Sequence, residues 1–123
     1  MRVYLLYLMV FVLMAQASHA QNAHFFDELY DVPVMNGLVI VPDQAISYDK
    51  PEGRISQAIA YAPNNDWSAI QSFYKETLMQ MGWQSLGNDK YSRERELLEI
   101  NHEKTENSDV SGLIIRFLLR PQS

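Results

Sequence analysis

The clearest hydrophobic pattern in this chain of 123 residues is a stripe with helical spacing. Apolar side chains recur at every third or fourth position from Trp67 to Met81, with polar side chains between them. Asp66 precedes the stripe and is a good N-cap, and Gly82 follows it where a helix commonly ends. The spacing predicts a helix over 67–81 whose apolar face, including Phe73, forms the centre of the core.

Alternating and β-branched runs on both sides of this helix predict an antiparallel sheet. The runs lie at 38–41, 44–48, 54–61, 83–86, 90–93, 96–102 and 112–120. A single long strand over 90–102 fits nearly as well as two strands that reverse at Glu94–Arg95. Ala58 and Ala60 place small side chains on one face, where a helix can approach closely. We therefore predict an α+β fold of order β-β-α-β-β-β, with four to five strands and one main helix packed on one face of the sheet.

The first twenty residues have the pattern of an export signal. Arg2 precedes an unbroken apolar run from Val3 to Met14, and Ser18 and Ala20 are small residues at the positions that signal peptidase reads. A run of about 12 apolar residues is shorter than the about 20 that a membrane-spanning helix needs. We therefore expect residues 1–20 to be a cleaved signal peptide, and the mature protein to be periplasmic or secreted, with no membrane span.

The composition narrows the classes of function. With 10 Lys+Arg and 15 Asp+Glu, the chain has a net charge of −5, which disfavours binding to nucleic-acid phosphates. It has no cysteine, so disulfides, lipid attachment to cysteine, thiolate metal sites and thiol catalysis are excluded. The length after the signal suits one small domain, which we divide into a lead segment, 21–35, and a single α+β domain, 36–123.

No pattern in the sequence identifies a catalytic or metal site. His102 lies near Glu103 and Glu106, but no second histidine follows at helical spacing, so an exposed histidine at a strand end is the better interpretation. Acidic residues from Glu94 to Glu99 alternate with arginines, which pairing between neighbouring strands explains. There is neither a nucleophile elbow nor a glycine-rich phosphate loop. We therefore name no catalytic residue, no metal ligand and no cofactor.

Three aromatic residues, Phe25, Phe26 and Tyr30, lie in the lead segment. With Leu29 they fit one or two short helical turns, which Pro33 ends. Large aromatic side chains near a terminus either dock on their own domain or contact a partner. Docking is the simpler interpretation. If instead the segment contacts a partner, these three residues are the candidate partner-binding residues.

Three stretches of the chain resemble the same group of proteins. They are Asp31–Arg54, with DVPVMNGL followed by YDKPEGRI, Asp66–Trp83, with FYKETLMQMGW, and Arg93–Ile100. These segments are similar to those of small exported proteins of alphaproteobacteria, a group with no assigned activity. Their motifs are turns, a helical stripe and a helix end. The resemblance therefore implies a fold and an exported location, and it carries over no site residues.

These observations favour a periplasmic, non-enzymatic interaction module that binds an envelope protein or a small apolar ligand. Two alternatives stay open. One is a small hydrolase or metal-dependent enzyme whose site only the fold assembles, and the other is a structural subunit of an envelope complex. A polar pocket would favour the enzyme, whereas a large exposed apolar patch would favour the interaction protein.

We expect signal cleavage after Ala20, because the apolar run and the small residues at Ser18 and Ala20 together define that position. The exported protein should then begin at Gln21. Intact-mass measurement of the protein from the periplasm or the medium checks this. A mature chain that retains residues 1–14 would contradict both the export signal and the domain division.

Overall fold

The computed structural model describes residues 24–64, 66–105 and 111–122, so the predicted signal peptide lies outside the described residues. Seven strands and one helix follow the lead segment, and a short 3-10 turn at Pro42–Gln44 joins the first two strands. The elements are β1 (Val39–Ile40), β2 (Ile46–Lys50), β3 (Gly53–Ala62), α1 (Trp67–Gln80), β4 (Gln84–Gly87), β5 (Lys90–Arg93), β6 (Glu96–Lys104) and β7 (Leu113–Pro121).

All seven strands belong to one antiparallel sheet of order β1-β3-β7-β6-β5-β4. Because β7 pairs with one edge of β3, both β1 and β2 pair with the other edge, where they lie one after the other along β3. The predicted α+β class, with one helix on one face of the sheet, is confirmed. The sheet has more strands than the four to five predicted, because the short runs β1 and β4 also pair, each next to a longer strand.

A two-residue turn separates β5 from β6. Glu94 and Arg95 both have positive φ, 49° and 70°, which is the geometry of the tight hairpin turns that match the twist of the strands. Arg93 then opposes Glu96 directly. The chain therefore reverses at Glu94–Arg95, and a single long strand over 90–102 is ruled out.

The helix α1 begins and ends close to where its sequence predicts. The Asp66 carboxylate accepts a hydrogen bond from the Ala69 N–H at 3.1 Å, which satisfies one of the free amides of the first turn. Gly82 has a φ of 94°, the left-handed conformation that stops a helix most readily at glycine. Within the described part of the chain, no helix has the length and hydropathy needed to cross a membrane.

Tyr74, and not Phe73, occupies the centre of the helix face that packs on the sheet. Ile70, Tyr74 and Leu78 are buried, and their spacing of four residues places them in one row along the helix. Phe73 lies to the side of that row, is half-buried, and contacts Tyr74 edge to face with ring centroids 4.9 Å apart. Phe73 therefore belongs to the packed face, as predicted, but it lies at the margin of that face and not at its centre.

The lead segment packs into the same core as the helix and the sheet. Phe26, Leu29 and Val32 are all buried. The segment forms a closed loop and not the predicted helical turns, since the Phe26 N–H donates to the Val32 carbonyl at 3.2 Å and the Val34 N–H donates to the His24 carbonyl at 2.7 Å. This loop turns all three apolar side chains inward, which explains why it is preferred over a helical turn.

The Tyr74 hydroxyl ties the lead segment to the helix. It donates a hydrogen bond to the Pro33 carbonyl at 2.8 Å and accepts one from the Met35 N–H at 3.2 Å. Burial of the hydroxyl raises the pKa of Tyr74 far above its ordinary value, although the hydrogen bond from Met35 opposes part of this shift. Two backbone groups of the lead segment therefore have the same hydrogen-bonding partner, the Tyr74 hydroxyl.

We expect Tyr74→Phe to lower the free energy of unfolding by about 1–3 kcal/mol at neutral pH, because it leaves two backbone groups without their partner. Urea titration measures this loss. Tyr30→Phe, at an exposed position, is the control and should change the stability by less than about 0.5 kcal/mol.

The difference in the free energy of unfolding between the wild type and the Tyr74→Phe variant should become smaller at alkaline pH. The unfolded chain ionises Tyr74 above a pH of about 10, whereas the folded chain keeps the proton, so the wild type alone loses this contribution as the pH rises. A difference that stays constant between neutral pH and a pH of about 11 would contradict the role of the buried hydroxyl.

Candidate interaction surface

The two faces of the sheet have different surroundings. The inner face, which carries Ala58, Ile115 and Phe117, packs against α1 and the lead segment. Residues that oppose each other in neighbouring antiparallel strands point to the same side of a sheet, so the register assigns the remaining strand residues to the other side. We call that side the open face, because the single described helix and the lead segment both lie on the inner face.

An apolar band crosses the open face. The band consists of Ile46, Tyr48, Ile55, Leu97 and Leu118. Register places Tyr48, Ile55 and Leu97 in one row across β2, β3, β7 and β6, with Arg120 between Ile55 and Leu97. It places Ile46 and Leu118 in the adjacent row, with Gln57 between them. Ile46 and Tyr48 are 46% and 48% exposed, and the other three are half-buried. With about 4.8 Å between neighbouring strands, the band is about 15 Å wide. Exposed apolar side chains grouped on one face are typical of interaction sites in soluble proteins.

The 3-10 turn at Pro42–Gln44 bounds the band on one side. The Val41 N–H donates to the Ile59 carbonyl at 2.9 Å, and the Gln57 side chain donates to the Gln44 carbonyl at 3.3 Å. Ile59 points toward the open face but is buried beside this turn. The turn therefore covers the middle of β3 and leaves the band beside it accessible.

Charged side chains lie at the margins of the band, and Arg120 lies within it, beside Leu97. Arg116 pairs with Glu103 across β7 and β6 at 3.8 Å, and Arg120 pairs with Glu99 across the same two strands. Of the alternating residues between Arg93 and Glu99, Glu99 pairs across neighbouring strands as predicted, whereas Arg93 pairs with Asp31 and Glu96 pairs with Arg54. The ammonium group of Lys50 lies 5.8 Å from the centre of the Tyr48 ring, at the end of β2.

A second charged cluster lies on the inner side, at the end of the sheet. Arg54 pairs with Glu96 at 3.0 Å and with Asp31 at 3.3 Å, and Arg93 also pairs with Asp31. Burial lowers the pKa of Arg54, but the hydrogen bond and charge of Glu96 and the charge of Asp31 outweigh burial and raise it overall. Arg93 stacks over the Trp83 ring at 4.4 Å. This cluster joins the lead segment to β3 and β5 through ion pairs, so it stabilises the fold.

A polar groove of about 310 Å³ lies between α1 and the β4–β5 hairpin. The Gln71 amide donates to the Asp89 carboxylate at 2.9 Å, and burial together with the Asp89 charge raises the pKa of Tyr91. Ser72 and Ser85 also line the groove, whose lining contains no histidine. The groove therefore offers hydroxyl groups, the Asp89 carboxylate and the Lys75 ammonium group.

The three candidate partner-binding residues of the lead segment do not share one exposed surface. Phe26 is only 1% exposed and contacts the Phe117 ring with centroids 4.8 Å apart. Phe25 is half-buried beside Pro33. Tyr30 is 69% exposed, and its ring lies 4.6 Å from the Arg54 guanidinium. Of the three, Tyr30 offers the largest exposed side chain to a partner.

His102 lies near the end of β6, where its ring stacks on the Trp67 ring with centroids 4.0 Å apart. Glu106, which the sequence places near it, is outside the described residues. Within residues 24–64, 66–105 and 111–122, no three His, Cys, Asp or Glu side chains lie close enough together to hold a metal ion.

Sequence reasoning missed the apolar band, although a signal for it exists. The run LIIRFLL in β7 is apolar at Ile114 and Leu118 as well as at the inward positions between them. A strand with one solvated face normally alternates between apolar and polar residues. Apolar residues on both faces of a central strand therefore point to a second surface that is partly shielded from water.

No protein-family model, no curated protein and no solved structure matches this chain. Its function must therefore be argued from the geometry and charge of its own residues.

The different positions of Phe26 and Tyr30 predict different effects on stability. Phe26→Ala should lower the free energy of unfolding by about 3–5 kcal/mol, because it removes a buried ring from the core. Tyr30→Ala removes a contact with Arg54 at an exposed site and should cost no more than about 1 kcal/mol. Denaturant titration of both variants checks this, and similar losses would contradict the docked position of the lead segment.

Proposed function

We propose that the protein is an exported, non-enzymatic module that binds another protein of the cell envelope through the open face of its sheet. The observation that carries this proposal is the apolar band. α1 and the lead segment both pack on the inner face, so among the described elements neither covers the band. The apolar run and the small residues before Gln21 support the exported location.

A protein partner suits this surface better than a small apolar ligand does. A partly apolar cavity between Met35, Leu38, Ala62 and Ile70 has a volume of about 130 Å³. Sites for drug-sized ligands measure about 300–1,000 Å³. The band, in contrast, is a broad surface across four strands, which is the shape that protein interfaces use.

The face of the sheet is also better suited to binding than its edges are. At one edge, Pro42 and the 3-10 turn interrupt the line of β1 and β2. At the other edge, β4 has only four residues, and its register shifts between Ser85 and Gly87. Short, irregular edges of this kind resist the addition of a partner strand. Side-chain contacts on the face therefore provide the better route to a complex.

Photo-crosslinking in intact cells tests the surface. A benzophenone amino acid replaces Tyr48, on the band, or Tyr30, on the lead segment, and both tyrosines are exposed. We expect a crosslinked protein from position 48 and none from position 30, because only the first position lies on the proposed surface. A crosslink from position 30 alone would favour the lead segment as the binding element and contradict the proposal.

A pair of matched substitutions supplies the control. Ile46→Asp places a charge on the band, and Met79→Asp places the same charge on the exposed side of α1, where Met79 is 52% exposed. Neither variant should lose more than about 0.5 kcal/mol of stability, since both sites are exposed. Ile46→Asp should abolish the crosslink from position 48, whereas Met79→Asp should leave it unchanged.

A further inference from the structure

The open face has a charge opposite to that of the rest of the protein. Its strands carry four basic side chains, Lys50, Lys90, Arg116 and Arg120, against two acidic ones, Glu99 and Glu103, a net charge of +2, and the 3-10 turn beside them carries the acidic Asp43. The other described residues carry five basic and eleven acidic side chains, a net charge of −6. The molecule is therefore polarised, and its positive side is the side that carries the apolar band.

Two lysines account for this positive charge. Arg116 and Arg120 are neutralised by Glu103 and Glu99, whereas neither Lys50 nor Lys90 has an ion pair among the described residues. Lys50 follows Tyr48 at one margin of the band, and Lys90 lies at the other side, at the end of the row that runs through Leu118 and Glu99. Four strand spacings separate β2 from β5, or about 19 Å.

We propose that the occupant of the open face is an acidic amphipathic segment of a partner protein. Its apolar side chains would cover the band, and its carboxylates would reach Lys50 and Lys90 at the two margins. This inference depends on the proposed function and adds the chemistry of the partner. Complementary charge at the rim of an apolar patch speeds association and selects among partners, which gives the two unpaired lysines a role.

A second copy of this chain is a poorer occupant. A symmetric dimer would bring the same face of both copies together, and the strands of each face carry a net charge of +2. A lipid surface is also poorer, because the Arg116–Glu103 and Arg120–Glu99 pairs lie beside the band and would lose water without gaining a hydrogen-bonding partner in the acyl region. An acidic protein segment avoids both the repulsion between like charges and the burial of the ion pairs in an apolar phase.

Charge reversal tests the proposal in the Tyr48 crosslinking background. The double variant Lys50→Glu/Lys90→Glu should lower the crosslink yield by about tenfold. Lys75→Glu/Arg95→Glu makes the same change in net charge at exposed positions away from the open face, and it should leave the yield unchanged. Melting curves of both variants check that they remain folded.

Purified protein supplies a second readout with a defined probe. A synthetic amphipathic helix of leucine and glutamate should bind the wild type, and added salt should weaken the binding because it screens the two lysines. A leucine–lysine helix of the same length should not bind. Equal binding of both peptides would show that the face selects only for apolar surface, which overturns the acidic partner.

The remaining outcomes separate the inference from the proposed function. If Ile46→Asp abolishes the crosslink and the lysine reversal does not, the surface is right and the acidic partner is wrong. If neither variant affects the crosslink, both proposals fail. A crosslinked species with twice the mass of the mature chain would identify a second copy, and lysine-dependent co-sedimentation with phosphatidylglycerol vesicles would identify a lipid surface. Either result overturns the inference.

Discussion

The packing of Phe117 joins the three parts of this protein. Its ring, in the middle of β7, lies 4.8 Å from the Phe26 ring of the lead segment and 5.0 Å from the Tyr74 ring of α1. Aromatic pairs of this kind contribute about 0.5–1.5 kcal/mol each beyond the area they bury. Because the chain has no cysteine, no disulfide supplements this packing. The lead segment is consequently part of the core, and removing it would open the inner face to water.

The same packing explains why the two faces of the sheet differ. Ala58 and Ala60 on the inner face are small enough to let the aromatic rings and α1 approach β3. On the other side of β3, the larger Ile55 and Tyr61 remain half-buried. The helix and the lead segment both lie on the inner face. The open face is contacted instead by the 3-10 turn and by Ser111, whose carbonyl accepts a hydrogen bond from the Tyr61 hydroxyl at 2.9 Å.

Periodicity along the chain predicted α1 and most strands, because helical and strand patterns are set by neighbouring residues. It could not decide between Phe73 and Tyr74, since both belong to the apolar stripe and only the orientation of α1 on the sheet distinguishes them. The pairing of β1 and β4 and the closed loop of the lead segment depend on contacts with distant residues. The apolar band could not be predicted for the same reason. Alternation shows which residues share a face of the sheet, whereas the exposure of that face depends on where the other elements pack.

The order of the strands has a consequence for folding kinetics. β4, β5 and β6 form a meander whose turns, at Asn88–Asp89 and Glu94–Arg95, each contain two residues, so their pairing is local. The central pair, in contrast, sets Ser56 opposite Leu119, across most of the described chain. Closing so long a loop costs entropy before the contacts of the core repay it. We therefore expect the meander to form early and the pairing of β3 with β7 to limit the folding rate. Substitutions between these two strands should then change the folding rate more than the unfolding rate.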